Sequence, residues 1–482
     1  LMALAFPKTN ASALAPLGAV GLFWACFGLS PRRALFVAWA AGVVFFSFSF
    51  SWFGETAGSL IAPFGFLLTL GPAVAEAFLG FALVGALVAY LVPRCKPSLV
   101  PLAAAAAFAF AEWVRSEGLG QLGVPFASLG YTQVETPLAP LAAFAGTFGI
   151  TLALCIPAAY VAYALRFGLE RNARPALAAC AGVVFGMALA WTFWPARSLA
   201  PAKTHVAAIQ GNIAQSLKFD PSTFNYTLGR YVALTQLAGL TRPAFVVWPE
   251  TVITAKLNGT AWLRQRFGAL ARQFQTTLIV GSFDVEHGTT YNALYFFGPN
   301  GEQQGLYRKR QLVPFAEHLP FATALSWIPW TRNIGGIGAG PGGAAVFAAN
   351  GALVAPVICW ESAFSNLVVA DVRRGAQVLI VSTDDAWFGT TAGPYQHAQI
   401  SQMRALETGR WIVRAAATGV SGIISPNGRF THKTQLDVAA AVTGSVGPPV
   451  ETPYDRYGSY AIAALCAALV AGIGLWGKRS RG

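Results

Sequence analysis

The sequence predicts a multi-span α-helical membrane bundle joined to an α/β domain that stands outside the membrane. Three observations carry this expectation. Of the 482 residues, 55% are hydrophobic and only 11% are charged, against about 25% charged in an average soluble domain, so most of the chain is not an ordinary water-soluble globule. The apolar residues are bunched into long runs near the two ends. Between those runs lies a mixed segment in which short apolar runs alternate with amphipathic ones, the β-α-β rhythm of a sheet covered by helices.

A membrane-spanning helix needs about 20 largely apolar residues. Six stretches qualify before residue 195, at 11–30, 34–52, 65–92, 99–117, 139–166 and 176–194, and a seventh lies at 459–477. Basic residues cluster at Arg32 and Arg33, at Arg94 and Lys96, at Arg166, Arg171 and Arg174, and at Lys478, Arg479 and Arg481. If these clusters are cytoplasmic, as the positive-inside rule expects, the helices alternate without contradiction. The expected organisation is then 1–195 as transmembrane helices, 196–458 as a periplasmic domain, and 459–482 as a last span with a basic cytoplasmic tail. The same parity puts the residues before position 11 outside, without the basic start of a cleavable signal. Residues 1–7 are accordingly expected to be the end of a further helix.

The net charge of +13 does not imply nucleic acid, because many of the basic residues sit at helix ends, where they set orientation and meet anionic lipid. Of the six cysteines, only Cys359 falls in the outer domain. That excludes a disulfide within the domain, and no spacing of Cys and His suggests a metal site, so neither metal nor cofactor is expected.

In the outer domain, 204–210 reads as a short buried strand, and Asp220-Pro221 as a cap with a first-turn proline opening a helix to about residue 240. A second strand is expected at 244–248, a helix at 261–275 and a third strand at 277–281. Asn-Gly pairs at 300–301, 350–351 and 427–428, each between apolar runs, signal hairpins. Another strand is expected at 378–382 and another helix at 395–410. The segment 326–343, rich in Gly after Ser-Trp-Ile-Pro-Trp, breaks the rhythm and reads either as a mobile loop with apolar anchors or as a disordered connection.

Three residues at strand ends could carry chemistry. Glu250 closes Phe-Val-Val-Trp-Pro-Glu, delivering a carboxylate to the edge where α/β sheets bind substrates, although a solvated loop carboxylate fits equally. Lys309 lies among Arg308 and Arg310; three cations in a row are commonly a solvated patch, but strand alternation points the middle one away from its neighbours. Cys359 stands where a strand turns into a helix. A helix start supplies backbone N–H groups and lowers a thiol pKa; the alternative is a small buried hydrophobe. In the membrane part, Glu112 and Arg115 are spaced to pair, either structurally or functionally, and Glu76 has no evident partner.

Glu, Lys and Cys in this order resemble the nitrilase, or carbon-nitrogen hydrolase, superfamily. The motifs Gln210-Gly211-Asn212, Gln215-Ser216-Leu217-Lys218, Trp248-Pro249-Glu250, Leu312-Val313-Pro314-Phe315 with Glu317, and Asp385-Ala386-Trp387-Phe388-Gly389 are more specifically similar to the apolipoprotein N-acyltransferase family. So are Glu112, Arg115, Gly123-Val124-Pro125-Phe126 and Gly130-Tyr131 in the membrane part. The resemblance implies a four-layer α-β-β-α nitrilase-like domain and a bacterial inner-membrane location. It implies transfer of an acyl chain from a phospholipid, through a thioester on Cys359, to the amino group of a diacylglyceryl apolipoprotein, by an enzyme expected to act as a monomer. By resemblance, Glu250 is the general base, Lys309 stabilises the tetrahedral intermediate and Cys359 is the nucleophile. Glu317, Trp360 and Glu361 match supporting or oxyanion positions.

Phe219, Trp327, Trp330 and Trp387 are candidates for an apolar substrate rim, with packing in the core as the alternative for the tryptophans. The chain departs from the family pattern at Phe219 (commonly Trp), Trp360 (Tyr), Asp384 (Asn) and Ala417 (Asn). Two other functions remain compatible with the residues: a membrane-tethered amidase that hydrolyses C–N bonds, and a non-catalytic transporter or sensor.

Overall fold

The computed structural model describes residues 1–58, 65–325, 327 and 335–476. The chain forms two compact units, one of Leu1–Arg197, Thr391–Gln399 and Thr452–Gly482, the other of Ser198–Thr390 and Ile400–Glu451.

The first unit is helical: α1 (Leu14–Cys26), α2 (Pro31–Ser49), α3 (Ser51–Gly58), α4 (Gly65–Ala77), α5 (Leu83–Leu91), α6 (Val100–Trp113), α7 (Ala142–Phe167) and α8 (Leu169–Thr192), with a C-terminal helix at Ser459–Trp476. A π turn at Phe78–Ala82 joins α4 to α5. Each apolar stretch of the sequence overlaps one of these helical runs. Among the described residues five are long and apolar enough to cross a membrane, at Pro31–Ser49, Thr69–Leu91, Ala139–Phe167, Leu169–Thr192 and Ser459–Trp476, while Leu14–Cys26 and Val100–Trp113, in the stretches 11–30 and 99–117, are shorter. The N-terminal residues Met2–Ala5 form a single 3-10 turn.

Helices in lipid gain little from apolar transfer and rely on close packing. Gly85 on α5 shows how: a Cβ there would lie 2.6 Å from the Ala38 methyl and 2.8 Å from the Ala34 carbonyl of α2. Phe45, Phe46, Phe81 and Phe108 fill the adjoining space, with ring centroids 4.9–5.6 Å apart.

The expected Glu112–Arg115 pair is not made. Arg115 instead reaches Glu76 at 3.3 Å and donates to the carbonyls of Val124 and Phe126 and to the Ser128 hydroxyl. Glu112 accepts from the Leu129 backbone N–H and the Thr151 hydroxyl. Glu76 thus acts through Arg115 on the Gly-Val-Pro-Phe loop, and Glu112 on the backbone of Leu129 just beyond it, where backbone polar groups need partners in an apolar surrounding. Spacing along one helix could not reveal this, because the partners come from α4, α7 and the loop.

The second unit is built on two sheets. The first contains β1 (Thr204–Gln210), β2 (Phe245–Val247), β3 (Ile253–Lys256), β4 (Thr277–Glu286), β5 (Thr289–Phe297), β6 (Gln303–Arg308) and β13 (Ala440–Val446), in the order β13-β1-β2-β4-β5-β6 with β3 also against β4. The second runs β12-β11-β10-β9-β8-β7 and contains β7 (Phe347–Ala349), β8 (Ala352–Ile358), β9 (Val378–Thr383), β10 (Trp411–Ala416), β11 (Gly422–Ile424) and β12 (Phe430–Lys433). β1, β2 and β4 are mutually parallel, as are β8, β9 and β10. Hairpins turn at all three Asn-Gly pairs. The strand β3 was not anticipated from the sequence.

The helices are α9 (Gln215–Lys218), α10 (Phe224–Gly239), α11 (Ala261–Phe274), α12 (Ala322–Leu325), α13 (Ser365–Arg373) and α14 (Gly393–Thr408). Val206, Val247, Ile279, Leu294, Ile358, Ile380 and Val413 bury the facing surfaces of the two sheets in one core. Outside the first sheet, Trp248, Val246 and Val280 pack with Leu228 and Tyr231 of α10 and with Leu263 and Phe267 of α11. Outside the second, Val357, Leu379 and Ile412 pack with Val368 and Val372 of α13 and Ala405 of α14. Four layers result, α-β-β-α. The central parallel strands are covered on both faces, which is why they read as continuous apolar runs rather than alternating ones.

Replacing Arg115 with Ala leaves Glu76 buried without its cation and frees the carbonyls of Val124 and Phe126. Breaking one partner of a buried pair costs about 3–5 kcal/mol, so the thermal midpoint in detergent should fall by several degrees. Arg115→Met combined with Glu76→Gln should recover part of the loss; equal midpoints for the parent and the Arg115→Ala variant would refute the anchoring role.

Candidate active site

Parallel strands end where the helices that follow them begin, and the chemistry-bearing residues collect there. Glu250 lies three residues beyond β2, Cys359 directly after β8, Asp384 directly after β9 and Lys309 directly after β6. The Trp248-Pro249-Glu250 turn closes on Gly281 of β4, where a Cβ would sit 2.0 Å from the Pro249 carbonyl oxygen. Only glycine admits that approach. The Ser382 hydroxyl of β9 then donates to the Trp248 carbonyl at 3.1 Å, hooking the second sheet to the same turn.

Glu250 and Lys309 are both buried. The Lys309 Nζ is 3.0 Å from Glu250 Oε1 and 2.9 Å from Glu317 Oε1. Glu250 Oε1 also accepts from Asn292 Nδ2 at 2.6 Å, and Oε2 accepts the Asp384 backbone N–H at 2.9 Å. Burial alone would raise this carboxyl, but the ammonium groups of Lys309 and Lys218 and the Asp384 N–H outweigh it, and the pKa lies below the ordinary glutamate value. For Lys309, burial works against the charged form, yet Glu250, Glu317 and Cys359 hold the ammonium well above its usual value. Of the neighbouring cations, Arg308 pairs with Asp284 and Glu286 at the sheet edge, and Arg310 is buried against Asp371. Lys309 alone of the three points at Glu250, as alternation predicts.

Cys359 opens a 3-10 turn, Cys359–Ala363, that leads to α13. Its φ is +50°, an uncommon conformation for a residue with a Cβ and one costing about 1–3 kcal/mol. Such a sharp strand-to-helix turn presents a nucleophile at a sheet edge. The expected lowering of the thiol pKa does not occur. Burial and the negative charge of Glu250 push the thiol well above its usual value, against the opposing influence of Lys309 and a hydrogen bond from Thr383. A one-turn 3-10 segment offers too small a dipole to offset a carboxylate at close range.

Glu361 holds the two halves of this arrangement together. Its buried carboxylate accepts from Ile358 N (2.7 Å) and the Tyr307 hydroxyl (2.7 Å) through Oε2, and from Arg310 N (2.6 Å) and Gln311 N (3.1 Å) through Oε1. The residue before Cys359 and the two residues after Lys309 thus share one anchor. Glu317 accepts the Val313 N–H through Oε2 and Lys309 and Asn292 through Oε1. Trp360 is buried, its ring 6.4 Å from that of Phe364.

The rim candidates fall out differently. Phe219 is 53% and Trp387 36% exposed, and both lie in the chain within three residues of the Lys218–Asp384 ion pair. Trp327 is 75% exposed. Trp330 lies outside the described residues. At the end of the Gly-rich segment, Gly338 N donates to Thr290 O and Gly340 N to Lys309 O, so that part is pinned to β5 and to the lysine. The Gln210-Gly211-Asn212 motif is structural: the Gln210 amide is saturated by Gln435 O, Val438 O and the hydroxyls of Ser421 and Thr434, and Asn212 N donates to Ala417 O. The departure at Ala417 keeps that backbone bond.

At the site the sequence reading misses Asn292 altogether and names Lys218 only within a family-like motif, without a role. Asn292 sits on β5 with its amide toward both carboxylates, and Lys218 reaches Asp384 Oδ2 (2.5 Å), Thr251 Oγ1 (2.6 Å) and Glu250 O (3.3 Å). Strand pairing could have flagged the first, since Asn292 O accepts the Lys309 N–H across the ladder. Among the described residues no cluster of His, Cys, Asp or Glu could hold a metal ion.

The fold and these residues define a nitrilase-type α/β domain coupled to a set of apolar helices. Residues 205–443 match the carbon-nitrogen hydrolase family, and residues 1–160 match the apolipoprotein N-acyltransferase N-terminal domain. The chain is 34% identical to apolipoprotein N-acyltransferase of Azotobacter vinelandii, covering 94% of this chain and 90% of that protein. It is 34% identical to that of Pseudomonas syringae pv. tomato (97% and 95%) and 30% identical to that of Photobacterium profundum (95% and 89%). The chain belongs to the apolipoprotein N-acyltransferase family. Among solved structures, an amidase from Nesterenkonia sp. AN1 aligns with 54% of this chain and 98% of its own at 17% identity and a TM-score of 0.40.

Changing Glu361 to Gln replaces one of its acceptor oxygens with a donor facing N–H groups. Leaving such a buried donor unsatisfied costs about 1–3 kcal/mol. A thermal midpoint lower by several degrees, together with slower alkylation of Cys359 by iodoacetamide, is the expected result, and unchanged values for both would remove Glu361 from this role.

Proposed function

We propose that this protein N-acylates the amino-terminal, diacylglyceryl-modified cysteine of apolipoproteins, taking the acyl chain from a phospholipid through a thioester on Cys359. The observation that carries the reading is the Glu250–Lys309 pair, 3.0 Å apart, with the charges of both acting on the Cys359 thiol. In this reading residues 196–458 are a periplasmic catalytic domain of a monomeric, multi-pass inner-membrane enzyme, with 1–195 and 459–482 as its membrane parts. The relatives named above carry apolipoprotein N-acyltransferase as their name, and five helices of suitable length among the described residues support a membrane location.

The residues divide the chemistry by their resting charges. Glu250 is ionised and Cys359 is a thiol, so Glu250 takes the S–H proton as the sulfur attacks the ester carbonyl of the phospholipid. Lys309, helped by the Trp360 backbone N–H, stabilises the oxyanion. On collapse the C–O bond breaks, Glu250 returns the proton to the departing lysophospholipid oxygen, and the acyl chain remains on sulfur. The acceptor amine then attacks the thioester carbonyl, gives a proton to Glu250, and forms the amide while the C–S bond breaks and the sulfur recovers the proton. Glu317 keeps Lys309 in place, and the aromatic side chains of Phe219, Trp327, Trp330 and Trp387 supply the apolar rim for acyl chains.

Intact mass spectrometry in phospholipid-containing detergent tests the cycle. The parent protein should gain one acyl group on Cys359 and lose it to an added diacylglyceryl peptide as an N-acyl product; Cys359→Ala should gain none. Glu250→Gln should slow acylation by about 10²–10⁴, and Lys309→Met by about 10²–10³. An acyl group discharged only to water would favour an amidase-like hydrolase, and no acyl adduct at all would sink the proposal.

A further inference from the structure

We propose that Lys218 and Asp384 act as a positioning pair for Glu250, fixing its place and balancing its proton affinity with opposed charges. The inference deepens the reading of Glu250 as the base for Cys359 and rests on it.

The geometry closes a ring. Lys218 ends the short helix α9, and its Nζ donates to Asp384 Oδ2 (2.5 Å), Thr251 Oγ1 (2.6 Å) and the Glu250 carbonyl (3.3 Å). Asp384 completes the circuit from the other side, because its own backbone N–H donates to Glu250 Oε2 at 2.9 Å. One end of Glu250 is thus held through its carbonyl by the ammonium, and the other through its carboxylate by the residue that holds the ammonium. Lys218 and Asp384 are 7% and 2% exposed. A buried ion pair is a poor source of stability, because desolvation offsets most of the attraction, and an apolar pair of similar size would fill the space as well. What an apolar pair cannot do is place a positive and a negative charge on either side of a third ionisable group.

The charges that face Glu250 are few. Lys309 and Lys218 are cationic, Asp384 is anionic, Glu317 reaches it through the shared Lys309 and Asn292, and Cys359 is the thiol it serves. Beyond Asp384 lie the buried Tyr231 phenol and Asp385, which is paired to Arg414. Lys218 favours the carboxylate form of Glu250, as does the Asp384 backbone N–H; the Asp384 carboxyl, raised chiefly by burial and also by the Glu250 charge against the pull of Lys218, repels Glu250 in turn and opposes its ionisation. The pair keeps Glu250 ionised yet basic enough to accept a proton. Asparagine at 384 would hold the same backbone bond and an acceptor for Lys218 but would leave the lysine charge unopposed.

The sign of the effect separates this proposal from simple packing. A neighbouring opposite charge lowers a carboxyl pKa and a like charge raises it, typically by one to three units within about 4–6 Å. The measurement is the pH dependence of Cys359 alkylation by iodoacetamide in the purified full-length protein, read by intact mass; its acidic midpoint is assigned to Glu250 by its disappearance in Glu250→Gln. Lys218→Met should move that midpoint up by about one unit, Asp384→Asn should move it down by a comparable amount, and the double variant should return close to the parent. Lys218→Arg should keep the parent midpoint.

Single variants that shift it in the same direction or not at all, or a midpoint that survives in Glu250→Gln, would overturn the proposal. If Lys218→Met fails to fold, the near-isosteric Asp384→Asn decides alone: a downward shift supports the pair and a fixed midpoint refutes it. The assay contains no phospholipid, so failed acyl transfer with opposed midpoint shifts would remove the proposed substrate reading and leave the pair standing.

Discussion

The buried carboxylate of Glu361 joins two chain segments, one carrying Lys309 and the other Cys359, that are 50 residues apart in sequence. It takes the Ile358 N–H just before Cys359 and the Arg310 and Gln311 N–H groups just after Lys309. Burying a carboxylate is costly unless it is fully hydrogen-bonded, and four donors meet that condition. Because the donors belong to the ends of β6 and β8 or to the residues just after β6, the carboxylate transmits the order of the two sheets directly to Cys359 and Lys309. The Ser382 hydroxyl does the same for Glu250 through the Trp248 carbonyl.

Around this anchor the site concentrates charge in a buried place. Glu250, Lys309, Glu317, Lys218 and Asp384 lie within one hydrogen-bonded chain. Glu250 and Lys309 are held in their charged forms by their neighbours, and removing one member of the chain leaves another uncompensated. The thiol is the exception. Burial and the charge of Glu250 favour the protonated sulfur over the opposing influence of Lys309 and Thr383, so the thiolate, the reactive form of a cysteine, is disfavoured at rest. In the proposed cycle this division makes general-base transfer the step on which the reaction depends.

Much of this was legible in the sequence. The apolar runs located the helices because a span has one length requirement and few alternatives. The parallel strands β1, β2, β4, β8 and β9 read as buried runs, and the Asn-Gly pairs marked hairpins, because both signals are local. Glu250, Lys309 and Cys359 could be picked out because each follows a strand, and strand ends converge on one edge of a sheet. The partner of Arg115, the roles of Asn292 and Lys218, and the direction of the Cys359 pKa were not legible. Each depends on groups distant in the chain: Glu76 is 39 residues from Arg115, and Asp384 is 166 residues from Lys218.

The sequence by itself determined where the chain is apolar, where strands turn into helices, and which residue types stand at those turns, since these follow from composition and short-range periodicity. The tertiary structure alone decided which charges meet and which form each group adopts. A pKa and an ion pair are set by distances of a few ångströms and by burial, and neither quantity exists until the two sheets have packed and brought the ends of β2, β6, β8 and β9 together.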